Sequence, residues 1–421
     1  MGIDNGVHFT QHLSYDIGGA CGRVLLRKPK LCDDSVEQYS GYFTVDPRLN
    51  KKYFFWFFES RNRTVRPPTT LWLSGGPGMS SMLGLLMENG PCRVQKNSTT
   101  TFNQYSWTES SNMLWVDQPP GTGFSTGAYD RDEEEVSEDM YIFLQAFFRR
   151  FPHFNDRFFI TGESFGGQYV PSLAATIIKK NDEIRAEGSL PGRVLIDFRG
   201  MAIGNGVTVP GIQLQWYPQM VTVYVHSVIS CEVCINAWLT FETAMMMPII
   251  TAGYNKYDLR KRGEYNFTPM NRYLNNPLVM KDLGALRPWR SDSPGVALHL
   301  RPTEFSRSCA SDVKLVLDRG LRVLIYAGDQ DYLCNWLGNQ AWTNALPWAH
   351  QSEFGRQKPK PWGKRDDGGV LVMPVGHLQQ YENFAFLRVY NAGHMVPMDK
   401  PSEALYMFDQ FVEGDIFHTH S

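Results

Sequence analysis

Residues 157–180 constrain this chain more than any other segment. The apolar run Phe158-Phe159-Ile160 leads through Thr161 into Gly162-Glu163-Ser164-Phe165-Gly166-Gly167, and a helix-like stretch follows from Gln168 to Lys180. A strand that reverses into a helix across Gly-x-Ser-x-Gly carries its serine on a tight turn, with the hydroxyl exposed at the edge of a sheet. Gly162 and Gly166 remove Cβ atoms that would collide there. An ordinary glycine-rich turn reads the same way, so the segment needs partners elsewhere in the chain to do chemistry.

Two later segments supply them. A serine hydroxyl is a poor nucleophile at neutral pH and needs a base, which in turn needs an acid to orient it. The apolar run 321–326 ends in Ala327-Gly328-Asp329-Gln330-Asp331, and the run 386–390 ends in Asn391-Ala392-Gly393-His394-Met395. Serine, acid, histidine is the chain order of α/β-hydrolases. His394 is the expected base. Asp329 and Asp331 compete for the acid role from one loop, and the other is expected to brace a turn. An oxyanion hole needs two backbone N–H groups. Phe165 offers one, and the glycine-rich loop Ser74-Gly75-Gly76-Pro77-Gly78 after Leu71-Trp72-Leu73 offers the other.

Further apolar runs at 53–58, 70–73 and 113–116 alternate with helical patterns, which predicts an α/β class with a mostly parallel central sheet flanked by helices. The alternation stops between 207 and 310, where three consecutive methionines, three cysteines and several prolines occur. That stretch reads as an inserted cap between core parts 1–206 and 311–421. The polar segment 350–369 reads as a loop or hairpin tip. A last helix is expected from Pro401. The acidic run 130–135 reads as the solvated first turn of a helix, where carboxylates favour the positive end of the dipole.

The chain has 421 residues and a formal net charge of -2, so it offers no general basic field for nucleic acid or an anionic membrane. No run of 18 apolar residues is long enough to span a bilayer. The N-terminus has no apolar stretch of signal-peptide type, yet three acceptor sequons, at Asn62, Asn97 and Asn266, favour a secretory route with the signal removed. Cys231 and Cys234 have zinc-like spacing, but no second Cys or His pair flanks them, and a disulfide role is preferred.

Taken together, Trp72-Leu73-Ser74-Gly75-Gly76-Pro77-Gly78-Met79-Ser80-Ser81, the serine turn, Gly204-Asn205-Gly206, Tyr326-Ala327-Gly328-Asp329-Gln330-Asp331 and Gly393-His394-Met395-Val396-Pro397 resemble the serine carboxypeptidase family, in its carboxypeptidase Y and cathepsin A branch. The similarity runs from about Gln38 to the C-terminus and is weakest in the cap. The resemblance implies an α/β-hydrolase fold and a triad of Ser164, Asp331 and His394. It implies an oxyanion hole from the N–H groups of Gly76 and Phe165. It further implies that Glu88 and Glu163 form a hydrogen-bonded carboxyl pair, which with Trp72, Ser74 and Gly75 receives the terminal carboxylate of a peptide.

Two carboxyls repel such a carboxylate unless protons are held in the site, so capture is expected to favour acidic pH. Leu333, Cys334 and Met395 are expected to line apolar pockets, which suggests hydrophobic side chains in the substrate. The partners implied are peptides and proteins engaged through their C-termini, with no metal or organic cofactor. A monomer or homodimer, placed in a lysosome or vacuole or secreted, completes the expectation. Ser74 stands where the family usually has Asn, Phe165 where it commonly has Tyr, and Met79 where it often has Cys. The bridge into the cap from that last position is therefore missing, with Cys92–Cys309 as a candidate substitute and Cys334 as the candidate free thiol. An acyltransferase on the same scaffold and an added non-catalytic protective role are the alternatives. The carboxyl pair favours the peptidase over the first.

Overall fold

Long apolar runs bounded by turn residues become the strands of one twelve-stranded sheet. The computed structural model describes residues 11–17, 20–62, 66–188, 192–224, 241–366, 368 and 370–418. In chain order the strands are β1 (Gln11–Ile17), β2 (Ala20–Arg27), β3 (Gln38–Asp46), β4 (Lys51–Phe58), β5 (Thr69–Leu73), β6 (Cys92–Val94), β7 (Thr100–Phe102) and β8 (Asn112–Asp117). After them come β9 (Phe158–Glu163), β10 (Phe198–Gly204), β11 (Tyr254–Asn255), β12 (Asp258–Arg262), β13 (Arg322–Gly328), β14 (Lys360–Trp362), β15 (Gly376–Tyr381) and β16 (Phe384–Val389).

The large sheet has the order β1-β2-β3-β4-β8-β5-β9-β10-β13-β16-β15-β14. Its centre, from β8 to β16, is parallel, and antiparallel strands extend it on both flanks. The central strands are buried on both faces, which is why they read as continuous apolar runs rather than alternating ones. Helices α1 (Glu133–Arg150) and α2 (Gly166–Glu187) cover one face through Met140, Phe143, Phe147, Val170, Leu173 and Ile177. The last helix, α3 (Pro401–Glu413), packs Ala404, Phe408 and Phe411 on the other, with Trp72, Trp107 and Trp115.

Three expectations change. The segment 350–369 is not a simple loop, since it contains the helix Gln351–Arg356 and the edge strand β14. β10 escapes the reading of the sequence because Arg199, Gly200 and Gly204 interrupt its apolar run. It lies between β9 and β13 and is defined by its neighbours. The bridge Cys92–Cys309 does not form: Cys92 pairs with Cys32, whose Cα lies 5.3 Å away, while Cys309 and Cys334 are free and buried. Cys231 and Cys234 lie outside the described residues.

The acidic run at 130–135 is also not a solvated turn. Asp132 does cap α1, accepting from Glu135 N at 2.9 Å. Asp130 and Glu133, however, are buried. Lys51, itself 1% exposed, holds Asp130 at 2.5 Å and Glu135 and Asp139 at 2.9 Å. Buried carboxylates without their cation are costly, because desolvation is no longer offset by attraction. Lys51→Met is therefore expected to destabilise the fold by about 3–5 kcal/mol. The urea-unfolding midpoint checks this, and an unchanged midpoint contradicts it.

Candidate active site

Ser164 is the first of the two residues between a strand and a helix. β9 ends at Glu163 and α2 starts at Gly166, and Ser164 takes a φ of 64°, a left-handed value that costs a non-glycine residue. Neighbouring backbone holds it there. Ser164 N donates to Gly204 O at 3.1 Å, and Ser164 O accepts from Gly167 N and Val207 N, both at 2.9 Å. The loop after β5 presses against this turn. A Cβ on Gly75 would sit 2.3 Å from Phe165 N and 2.7 Å from Ser164 Cβ, so only glycine permits the approach.

Asp331 and His394 stand at the carboxyl ends of β13 and β16, two parallel neighbours. His394 Nδ1 lies 2.7 Å from Asp331 Oδ2, and both side chains are buried. Asp331 accepts three further hydrogen bonds, from Asn205 Nδ2 at 2.8 Å, Leu333 N at 2.9 Å and Cys334 N at 3.1 Å. A carboxylate so surrounded accepts at Nδ1, which places the imidazole proton there and leaves Nε2 as an acceptor. Asp329 instead accepts from Asn391 N at 2.9 Å and pairs with Arg388 at 3.0 Å, bracing the two loops. Cys334 sits beside this pair: one polar side-chain atom from each of Asp331, Cys334 and His394 falls within 4.8 Å of the others. Burial pushes the Cys334 thiol well up, so it stays protonated.

Glu88 and Glu163 are buried, and their side chains are hydrogen-bonded to each other. Burial pushes Glu88 up to about 7, and burial together with Glu88 pushes Glu163 well above the carboxylate range. Two carboxyls in one dry site cannot both ionise, so the pair keeps a proton. Nearby, Trp72 Nε1 donates to Ser74 Oγ at 3.1 Å, and Ser81 Oγ accepts from Ser74 N at 3.1 Å. Met395 is buried and Leu333 half-buried. Asn62, Asn97 and Asn266 are all exposed.

Some residues of the site were not picked out from the sequence. Asn205, with a φ of 41°, donates to Asp331 and accepts from Gly328 N at 3.0 Å; only its place in a Gly-Asn-Gly strand end hinted at it. The hairpin β11–β12, inside the expected cap, carries no chemical motif. Yet Tyr257 O accepts from His394 N at 2.7 Å, Lys256 O accepts from Leu333 N at 3.0 Å, and Leu259 N donates to Gln330 O at 2.9 Å. Arg260 and Lys261 reach Asp258 and Asp399 and fix the hairpin to the histidine loop.

Parallel strands that deliver serine, aspartate and histidine to one edge, in that chain order, mark the α/β-hydrolase class. Within that class the chain belongs to the serine carboxypeptidase family, whose profile matches residues 29–247 and 249–414. It is a serine-type carboxypeptidase. The vacuolar serine-type carboxypeptidase ATG42 of Saccharomyces cerevisiae is 35% identical over 432 residues, spanning 92% of this chain and 81% of that protein. Serine carboxypeptidase-like 49 of Arabidopsis thaliana is 36% identical over 420 residues, spanning 91% and 78%. In fold, the chain is similar to the prohormone-processing carboxypeptidase Kex1(delta)p of Saccharomyces cerevisiae, with a TM-score of 0.75 at 23% identity over 92% of this chain and 94% of that one.

Proposed function

We propose that the enzyme removes residues one at a time from peptide C-termini through an acyl-enzyme built on Ser164. His394 Nε2 takes the hydroxyl proton as Ser164 Oγ bonds to the scissile carbonyl carbon. The N–H groups of Gly76 and Phe165 receive the charge that develops on the carbonyl oxygen. His394 then passes the proton to the leaving nitrogen as the C–N bond breaks, and water reverses the sequence to release the acid. Asp331 holds the imidazole and stabilises its charge. Leu333, Cys334 and Met395 favour hydrophobic side chains beside the scissile bond. Residues 207–310 act as the cap, and 1–206 and 311–421 as the core. The vacuolar relative and the exposed sequons support a vacuolar or secretory setting. Among the described residues no helix is long and apolar enough to cross a membrane.

The observation that carries this reading is the buried Glu88–Glu163 pair beside the serine turn. With a proton held between them, the pair and Ser74, backed by Trp72 and Gly75, accept a terminal carboxylate that two ionised glutamates would repel. Both groups have raised pKa values, so capture is complete on the acid side, weakens as Glu88 ionises with pH rising past about 7, and is lost only when Glu163 follows at higher pH. KM for a peptide with a free C-terminus is expected to climb across that range, whereas KM for the same peptide amide stays level. Mass spectrometry of a digest should show a ladder of losses from the C-terminus. Cleavage at internal bonds, or a KM that falls as pH rises, overturns the reading.

A further inference from the structure

The hairpin that supports the catalytic loops brings a cation with it. Lys256 lies at its turn, half-buried, and its carbonyl accepts from Tyr332 N at 3.2 Å and Leu333 N at 3.0 Å. Its main chain is therefore stitched to the residues just after Asp331. Its Nζ lies 5.3 Å from the centroid of the Tyr257 ring, and that ring lies 5.1 Å from the ring of His394. The Lys256 charge also acts on the buried Cys334 thiol beside Ser164.

The acids that pack between this hairpin and the catalytic loops are engaged elsewhere, and Glu264 beyond it is exposed. Asp258 and Asp399 pair with Arg260 and Lys261, Asp329 with Arg388, and Asp331 with His394. Among the described residues no carboxylate lies within ion-pairing distance of Lys256, and its ammonium lies over the Tyr257 ring. An ammonium half-shielded from water and short of a counter-charge gains most from an anion brought by a ligand.

Resting on the reading above, we propose that Lys256 makes this enzyme prefer, among polar side chains, an acidic one at the residue that becomes the acyl group, the one before the C-terminal residue. The carboxyl pair holds the departing residue. Lys256 is bonded through its main chain to Leu333, next to Cys334, the residues read above as lining the pocket beside the scissile bond. A glutamate side chain suits that arrangement, with its methylenes on Leu333 and its carboxylate toward the ammonium.

Blocked dipeptides with penultimate Glu, Gln or Lys before a common C-terminal Leu provide the test. Wild-type kcat/KM is expected to be roughly fivefold or more higher for Glu than for Gln, a ratio that shrinks as salt is added. Lys256→Met should bring that ratio close to one, and Lys256→Glu should turn the preference toward Lys. The wild-type ratio and its salt response stand even if a variant fails to fold. Equal rates for Glu and Gln in the wild type overturn the proposal while leaving the carboxypeptidase reading intact. A preference for Glu seen only at the C-terminal residue overturns its placement on the acyl side. Hydrolysis of none of the peptides sinks the proposed function, and this proposal with it.

Discussion

Ser164→Ala is expected to lower kcat by at least about 10⁴-fold, with the residue left behind contributing only substrate binding and the oxyanion donors. The loss is chemical and not structural. The turn is held by backbone bonds to Gly204, Gly167 and Val207, none of which uses the serine hydroxyl. Alanine takes the left-handed φ of 64° at no greater cost than serine. The variant should therefore keep its unfolding midpoint and its affinity for a product-like peptide while losing reaction with a phosphonofluoridate. Near wild-type turnover in this variant removes Ser164 from the mechanism and makes the strand–helix turn an ordinary one.

Asp331→Asn should cost nearly as much, about 10⁴-fold in kcat. Asp331 Oδ2 is the acceptor that keeps the His394 proton on Nδ1. The donors Asn205 Nδ2, Leu333 N and Cys334 N crowd the rest of the carboxylate. An amide has one oxygen to offer where the aspartate offers two. Its NH2 would face His394 Nδ1 or another donor, and a hydrogen bond to Nδ1 fixes the imidazole proton on Nε2. Nε2 could then no longer take the serine proton. Stability should also fall by about 1–3 kcal/mol from buried donors left unmatched, so the kinetic comparison belongs well below the variant's melting temperature. Asp329→Asn, which loses an ion pair with a partly exposed Arg388, should cost far less. If the two variants lose activity equally, the loop as a whole matters and Asp331 has no separate role.

Much of the proposed catalytic arrangement was legible from strand ends. Gly-x-Ser-x-Gly, Asp331 and His394 each follow an apolar run, and local chemistry forces such residues to the carboxyl edge of a parallel sheet. Asp329 and Asp331 could not be separated that way. They sit two residues apart in one turn, and only the direction of each side chain tells them apart: one toward His394, the other toward Arg388. The burial of Asp130 was illegible for a similar reason. Its cation, Lys51, lies on a strand about eighty residues earlier in the chain.

The sequence by itself determined the elements whose physics is local: apolar central strands, a glycine-bounded serine turn, a helix led by an acidic run, a proline-led last helix. Their side chains follow from neighbours a few residues away. The tertiary structure alone decided which acid meets the histidine, which cysteine joins Cys92, and that the β11–β12 hairpin carries Tyr257 and Lys256 to the reacting edge. Those outcomes depend on contacts between residues far apart in the chain, whose distance and direction are set only when the core closes and excludes water from it.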